Sequence, residues 1–340
     1  MLLFRKSQIE IQFNWIIVLV AGALIFLFFF GLISWARNNS RESSSATIAR
    51  NFDSMLTAAS VTKSTVNNLT LPIKRLDFSC RGFRIDKSER EEAYANKIIF
   101  APTYIKGTRL ITWSLSWDVP FRAANFLFIS SPQIRYVFIT DYASNEIYRY
   151  LRTNFPDELN AEFYEETNVP ILEDYNNFKV RITYIGNSIS PDKSHIARFK
   201  KMGKHDVTSL AVNADTFDHV MDLQFYHKSA RGSTDYISGS SAKGFGEASL
   251  IGAIFSENEE DYRCSMEKAF SRLDKIAEIY EERARHLRAN VPSYCTFYSN
   301  SINVLDNIDK NSGYSDLNSL YSHLESDNNN LQQNSCPLIY

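Results

Sequence analysis

Glycine is scarce in this sequence, 12 in 340 residues, which excludes collagen-like, glycine-linker and many-turned propeller architectures. Neither charge is in excess. Thirty-seven Lys and Arg stand against 39 Asp and Glu, a net of −2, so no bulk attraction draws the chain to nucleic acid. The four cysteines form no C-x-x-C pair, which removes zinc-ribbon and thioredoxin-like readings. There is no H-E-x-x-H spacing, no G-x-S-x-G elbow and no G-x-G-x-x-G after an expected strand. Lys243 precedes Gly244 instead of following a glycine, so the Gly/Ser-rich stretch with Gly232, Gly239, Gly244 and Gly246 is not a P-loop; it reads as a surface loop leading into a strand. No internal repeat is present. These absences imply no cofactor and lean away from an enzyme.

What the chain does have is apolar surface to bury. Hydrophobic residues make up 44% and charged residues 22%, the composition of a folded globular protein, with 24 Phe and 18 Tyr. Several Phe belong to one run. From Trp15 to Trp35 no residue is charged, and about 20 apolar residues suffice to cross a hydrocarbon core of roughly 30 Å. A tryptophan stands at each end, where interfacial anchors sit. The run is longer than the apolar region of a cleaved signal peptide and has no small-residue cleavage site. The expectation is a transmembrane helix over 14–35, behind a short basic tail (1–13), with the lipid bilayer as its partner.

Sidedness is nearly balanced. Arg5 and Lys6 lie on one side, Arg37, Arg41 and Arg50 on the other. A polar, serine-rich stretch after the run reads as a hydrated stalk, and Asn38-Asn39-Ser40 and Asn68-Leu69-Thr70 fit the N-glycosylation pattern. These favour an extracytoplasmic domain.

Arg5-Lys6-Ser7-Gln8-Ile9-Glu10-Ile11, followed directly by the apolar run, resembles the N-terminus of archaeal type IV pilin-like precursors (class III signal). The resemblance covers residues 5–35. It implies processing between Ser7 and Gln8 and an assembly or anchoring role for the helix. Ser7 stands where Gly or Ala is usual, and Gln12 holds the place of the pilin Glu.

Beyond the run, apolar residues at Ile48, Phe52, Met55, Leu56 and Ala59 predict a helix over 44–70, closed by Pro72, within a stalk region 36–71. From residue 72 to 256 the periodicity predicts a mixed α/β or α+β domain. Strands are expected at 97–101, 110–115, 126–129, 135–140, 178–185, 207–212 and 248–255. A helix through Ile147, Tyr148, Leu151 and Phe155 would be capped by Asp141 or Ser144. The region 257–340 is expected to be helical and to pack on that domain. Tyr262, Met266, Ala269, Leu273, Ile276, Tyr280 and Leu287 mark one face of a helix over 258–289, and shorter helices follow near 296–308 and 315–332. Trp113, Trp117, Phe121 and Phe126 form either a filled core or, if exposed, a binding platform.

Cys80, Cys264, Cys295 and Cys336 allow three pairings. About 25 helical residues hold Cys264 and Cys295 nearly 40 Å apart, far beyond the roughly 7 Å a disulfide spans. The geometry favours Cys80–Cys264 with Cys295–Cys336 in an oxidising compartment; free buried thiols are the counterpart in a reducing one. The one acid–histidine grouping is His205-Asp206 before a strand, with Asp215, Asp218, His219, Asp222 and His227 after it. Carboxylate and imidazole are what a metal site or general base needs, and polar loops have the same composition. His205, Asp215, Asp218 and His219 are therefore the candidate catalytic residues of a membrane-tethered, metal-dependent hydrolase. The leading reading is a single-pass membrane-anchored protein acting in binding, adhesion or assembly, through a protein partner or self-association; a pilin-like subunit is the third.

Overall fold

A computed structural model describes residues 5–61, 65–86, 88, 90–172, 177–187, 189–308 and 313–340, with side chains described except at 5–17, 34–46, 61 and 313–316. The chain divides into two compact units, Met1–Phe52 and Asp53–Tyr340.

The first unit lies in helix α1 (Arg5–Val61). Nothing in Arg37–Ala46 breaks a helix, since it holds neither glycine nor proline. The hydrated stalk is accordingly helical backbone. Among the described residues no helix is long and apolar enough to cross a membrane. The apolar stretch with described side chains, Val18–Ile33, spans about 24 Å at the helical rise, short of the roughly 30 Å core. Positions 14–17 and 34–35 of the expected span, and the Ser7–Gln8 processing site, lie outside the described side chains. Within the stretch Phe26 to Phe30 are exposed.

The helix expected over 44–70 stops at Val61, because 66–70 is a strand. Val66 and Thr70 are β-branched, Asn67 and Asn68 are poor helix formers, and the segment gains a full antiparallel partner. The second unit is a mixed α/β assembly with three sheets. The first sheet has the order β1 (Val66–Thr70), β7 (Arg109–Asp118), β8 (Arg122–Ser130), β5 (Ile98–Phe100). A small sheet follows the order β4 (Glu92–Ala93), β3 (Gly82–Ile85), β2 (Arg75–Phe78), β6 (Tyr104–Lys106). The largest has six strands, β10 (Asn160–Glu165), β9 (Ile134–Thr140), β11 (Lys179–Ile185), β12 (Val207–Asn213), β13 (Met221–Lys228) and β14 (Tyr236–Gly244). Its first four strands are parallel and its last two antiparallel. Helix α2 (Glu146–Asn154) makes the β9–β10 crossover.

The second correction concerns 248–255, expected as a strand and found as helix α3 (Gly246–Phe255). Phe255 touches Trp113 and Phe128 of the first sheet and Tyr136 of the largest. Wedged between two sheets, Ala248 to Phe255 are all buried, so no polar face marks a helical period. Gly252 lets the helix approach, since a Cβ there would lie 2.9 Å from the Phe100 ring. Buried Arg181 donates to the carbonyls of Ala253 and Ile254 at the end of α3, where a cation complements the helix dipole.

The opposite face of the large sheet is covered by residues from the irregular segment 189–206. Val137, Ile139, Val180, Ile182 and Tyr184 pack there against Ile189, Ile196, Phe199 and Met202. The expected long helix is α4 (Glu259–Asn290), which lays Tyr262, Met266, Ala269 and Leu273 against the first sheet and β14. Helices α5 (Tyr298–Asp306) and α6 (Gly313–Gln333) follow. Two disulfides close the unit: Cys80–Cys264, tying the turn after β2 to α4, and Cys295–Cys336, each with Cα atoms 6.0 Å apart. This is the expected pairing, one of the two that remain once helix length excludes Cys264–Cys295. Trp113, Trp117, Phe121 and Phe126 are buried and form core, not an exposed platform.

Candidate functional site

In the large sheet the chain runs from β9 out to β10, then crosses back past β9 to β11. That reversal is the switch point beyond whose carboxyl ends open α/β sheets place ligands. Asp141, Tyr142 and Asn145 follow β9, Gly186 and Asn187 follow β11, and Asp215 follows β12. The cap of α2 is Asn145, whose Oδ1 accepts from the Tyr148 N–H at 3.1 Å. Neither Asp141 nor Ser144 plays the capping role expected of them. Asp141 instead lies against Gly186 (φ +133°), where a Cβ would collide with its carboxylate. Asp215 is the hub of the group. It accepts from Asn145 Nδ2 at 3.0 Å and Asn187 Nδ2 at 2.6 Å. The Tyr142 hydroxyl also bonds to it, which holds that exposed phenol up at about 12.

From this hub the loop 214–220 leans on the start of α2 through the Glu146 N–H to the Asp215 carbonyl. Beyond it opens a cleft of about 870 Å³. Asp218 and His219 line one side and Glu146 another; the end of β7 adds Ser116, Trp117 and Asp118. The start of α3 contributes Phe245 and Glu247, and α6 contributes Asn318, Tyr321 and Glu325. Trp117 is fixed by its indole N–H donating to the Phe245 carbonyl at 3.0 Å.

The structure therefore unites three of the four candidate residues at one edge of the sheet and leaves the fourth at the other. His205 precedes the seven-residue β12 and Asp215 follows it, so the length of the strand, about 20 Å at the strand rise, lies between them. His205 stacks on His227, ring centroids 5.9 Å apart, beside a smaller cleft of about 370 Å³ with Glu257, Glu259 and Glu260. Burial, then Lys204 and His205, lower the His227 pKa. Among the described residues no group of three or more His, Cys, Asp and Glu is placed to hold a metal ion.

Two further corrections bear on the cleft. From Tyr236 to Gly244 the Gly/Ser-rich stretch is not a loop but edge strand β14, paired to β13, while Gly232 lies in the turn before it. It leads through Gly244-Phe245-Gly246 into helix α3 instead of a strand. Such a turn at a helix N-terminus suits a phosphate, but the described lining carries five carboxylates and no lysine or arginine, so its charge repels an anion. Asp118, Glu146, Glu247 and Glu325 escape sequence reasoning because they come from four distant elements. The one local signal was Glu247 directly after the Gly-Phe-Gly turn.

Comparison with known proteins returns no matching family model, no similar curated protein and no matching solved structure.

Proposed function

We propose that the chain is a single-pass membrane-anchored protein whose second unit is an extracytoplasmic binding module, with its ligand taken at the cleft beyond the carboxyl edge of the large sheet. The observation that carries this reading is the uncharged run from Trp15 to Trp35 ahead of a unit in which all four cysteines are paired. Disulfides persist in oxidising compartments, which supports the outer side. Asn68, in its glycosylation pattern, is exposed on edge strand β1 and accessible to modification. Binding is favoured over hydrolysis by the distance between His205 and the other candidate residues. Exposed carboxylates beside aromatic walls suit recognition.

Membrane fractionation tests the anchor. The double substitution Leu24→Arg and Phe28→Arg should move the full chain from the alkaline-washed pellet to the supernatant; a variant that stays in the pellet defeats the anchor. The pilin-like reading adds one more expectation, a mature N-terminus at Gln8 by mass spectrometry, and an N-terminus at Met1 or Leu2 removes it.

A further inference from the structure

A free sheet edge offers unpaired backbone N–H and C=O groups to another strand. Proteins blunt such edges with short strands, charges, bulges or a covering helix. The three sheets of the second unit end in six edge strands. Five of them carry such a device. β4, β5 and β6 are only two or three residues long, and α4 packs along β5. β10 bears Glu162 and the exposed Glu165. β14 carries Lys243 and shifts its register against β13 between Gln224 and Tyr226.

The sixth, β1, has none of them. Its sequence, Val66-Asn67-Asn68-Leu69-Thr70, contains neither a charge nor a proline, and five residues is an ordinary strand length. Its register with β7 runs unbroken from Val66 opposite Trp113 to Thr70 opposite Arg109. Among the described residues β7 is its one strand partner, and Val66 and Leu69 are only half-buried. The same five residues hold the second unit's one Asn-x-Ser/Thr pattern, Asn68-Leu69-Thr70. Alternate residues of a strand share a face, and Asn68 and Thr70 are both exposed. The unguarded edge is a property of backbone pairing and the acceptor pattern a property of residue order, and the two coincide.

We propose that Asn68 carries an N-linked oligosaccharide and that this glycan guards the open edge of the first sheet. A bulky, hydrated chain at the middle of β1 keeps a second strand from reaching its backbone groups. The donor is a lipid-phosphate-linked oligosaccharide, brought by a separate transferase. A bond forms between Asn68 Nδ2 and the anomeric carbon of the first sugar as the bond from that carbon to the phosphate oxygen breaks. The amide gives up one proton and the lipid phosphate leaves with the electron pair, so nothing is oxidised or reduced. The proposal rests on the extracytoplasmic reading above, because such glycans are borne by secreted and surface domains. It does not depend on the cleft.

Mass spectrometry of the full chain isolated from its own cells tests the modification. The tryptic peptide 64–74 should carry a series of sugar masses on Asn68. Asn68→Gln should abolish them, and so should Thr70→Ala, which keeps the acceptor asparagine; Asn67→Gln should retain them. Light scattering in non-ionic detergent tests the guard. Both sugar-free variants should gain particle mass as concentration rises where the parent does not, and adding Leu69→Lys, a charge on the edge, should abolish the gain. An unmodified Asn68 in a chain whose thiols label outside sealed cells overturns the proposal and leaves the extracytoplasmic reading standing. Thiols reached only after lysis overturn both. Sugar masses that survive Thr70→Ala contradict the assigned site, and sugar-free variants that hold the parent's particle mass contradict the guarding role.

Discussion

The two ends of the six-stranded sheet solve the problem of charge in opposite ways. At the amino end Lys179, 2% exposed, pairs with Glu257, 9% exposed, and lies 3.9 Å from the centroid of the Tyr104 ring. Glu257 accepts from both the N–H and the hydroxyl of Thr103, and Tyr104 donates to Asp206. The lysine, lowered by burial and raised in part by Glu257, joins the small sheet, the large sheet and the α3–α4 turn. At the carboxyl edge Asp118, Glu146, Asp218, Glu247 and Glu325 are all exposed and face one cleft. A buried pair must be satisfied internally, so the amino end serves the fold. Solvated like charges cost the fold little and stay open to solvent at the carboxyl edge.

Substitutions can break this contrast or sharpen it. The largest effect belongs to the amino end. Glu257→Ala leaves Lys179 buried without its partner and should cost about 3–5 kcal/mol of unfolding free energy in urea titration; a loss under about 1 kcal/mol would make the two ends alike. Gly186→Ala comes next. It sets a side chain at φ +133° against the Asp141 carboxylate and should cost about 1–3 kcal/mol. A smaller effect follows from acid. His195, half-buried with Nδ1 3.0 Å from the Tyr184 hydroxyl, has its pKa lowered by burial below the ordinary 6.5. His227 is lowered in the same direction. For a base whose folded pKa is depressed, the unfolded chain takes up the proton first. The stability is present above pH 6.5 and falls as the pH drops below it, levelling off beneath the folded pKa. Urea midpoints between pH 7.5 and 5 should decline, and His195→Gln should flatten the slope. Smallest of all, Asp218→Asn or Glu325→Gln should change stability by no more than about 0.5 kcal/mol, and a clear loss would show that these acids hold the fold together.

How much of this was legible in sequence follows the same divide between local and assembled features. Strands β9, β11 and β12 are rich in β-branched and aromatic residues and buried along nearly their whole length, and could be read directly. Helix α4 showed its period because only one face is buried, and its length alone separated Cys264 from Cys295. Helix α3 could not be read, since burial on every side erases the amphipathic signal. Strand β14 could not either, because Gly239, Ser240 and Ser241 look like a loop until β13 supplies its hydrogen bonds. The site was half legible. Asp215, Asp218 and His219 are neighbours in sequence and remain together, whereas His205 is carried away by the length of β12. The other four acids of the cleft meet only through the tertiary fold.

The central claim, a disulfide-bonded binding module outside the membrane, is tested most directly by labelling the full chain in intact cells with a membrane-impermeant maleimide, with and without reductant. Labelling that appears only after reduction, in cells that remain sealed, is the predicted result. Labelling that requires lysis and needs no reductant would place free thiols on the inner side and contradict it.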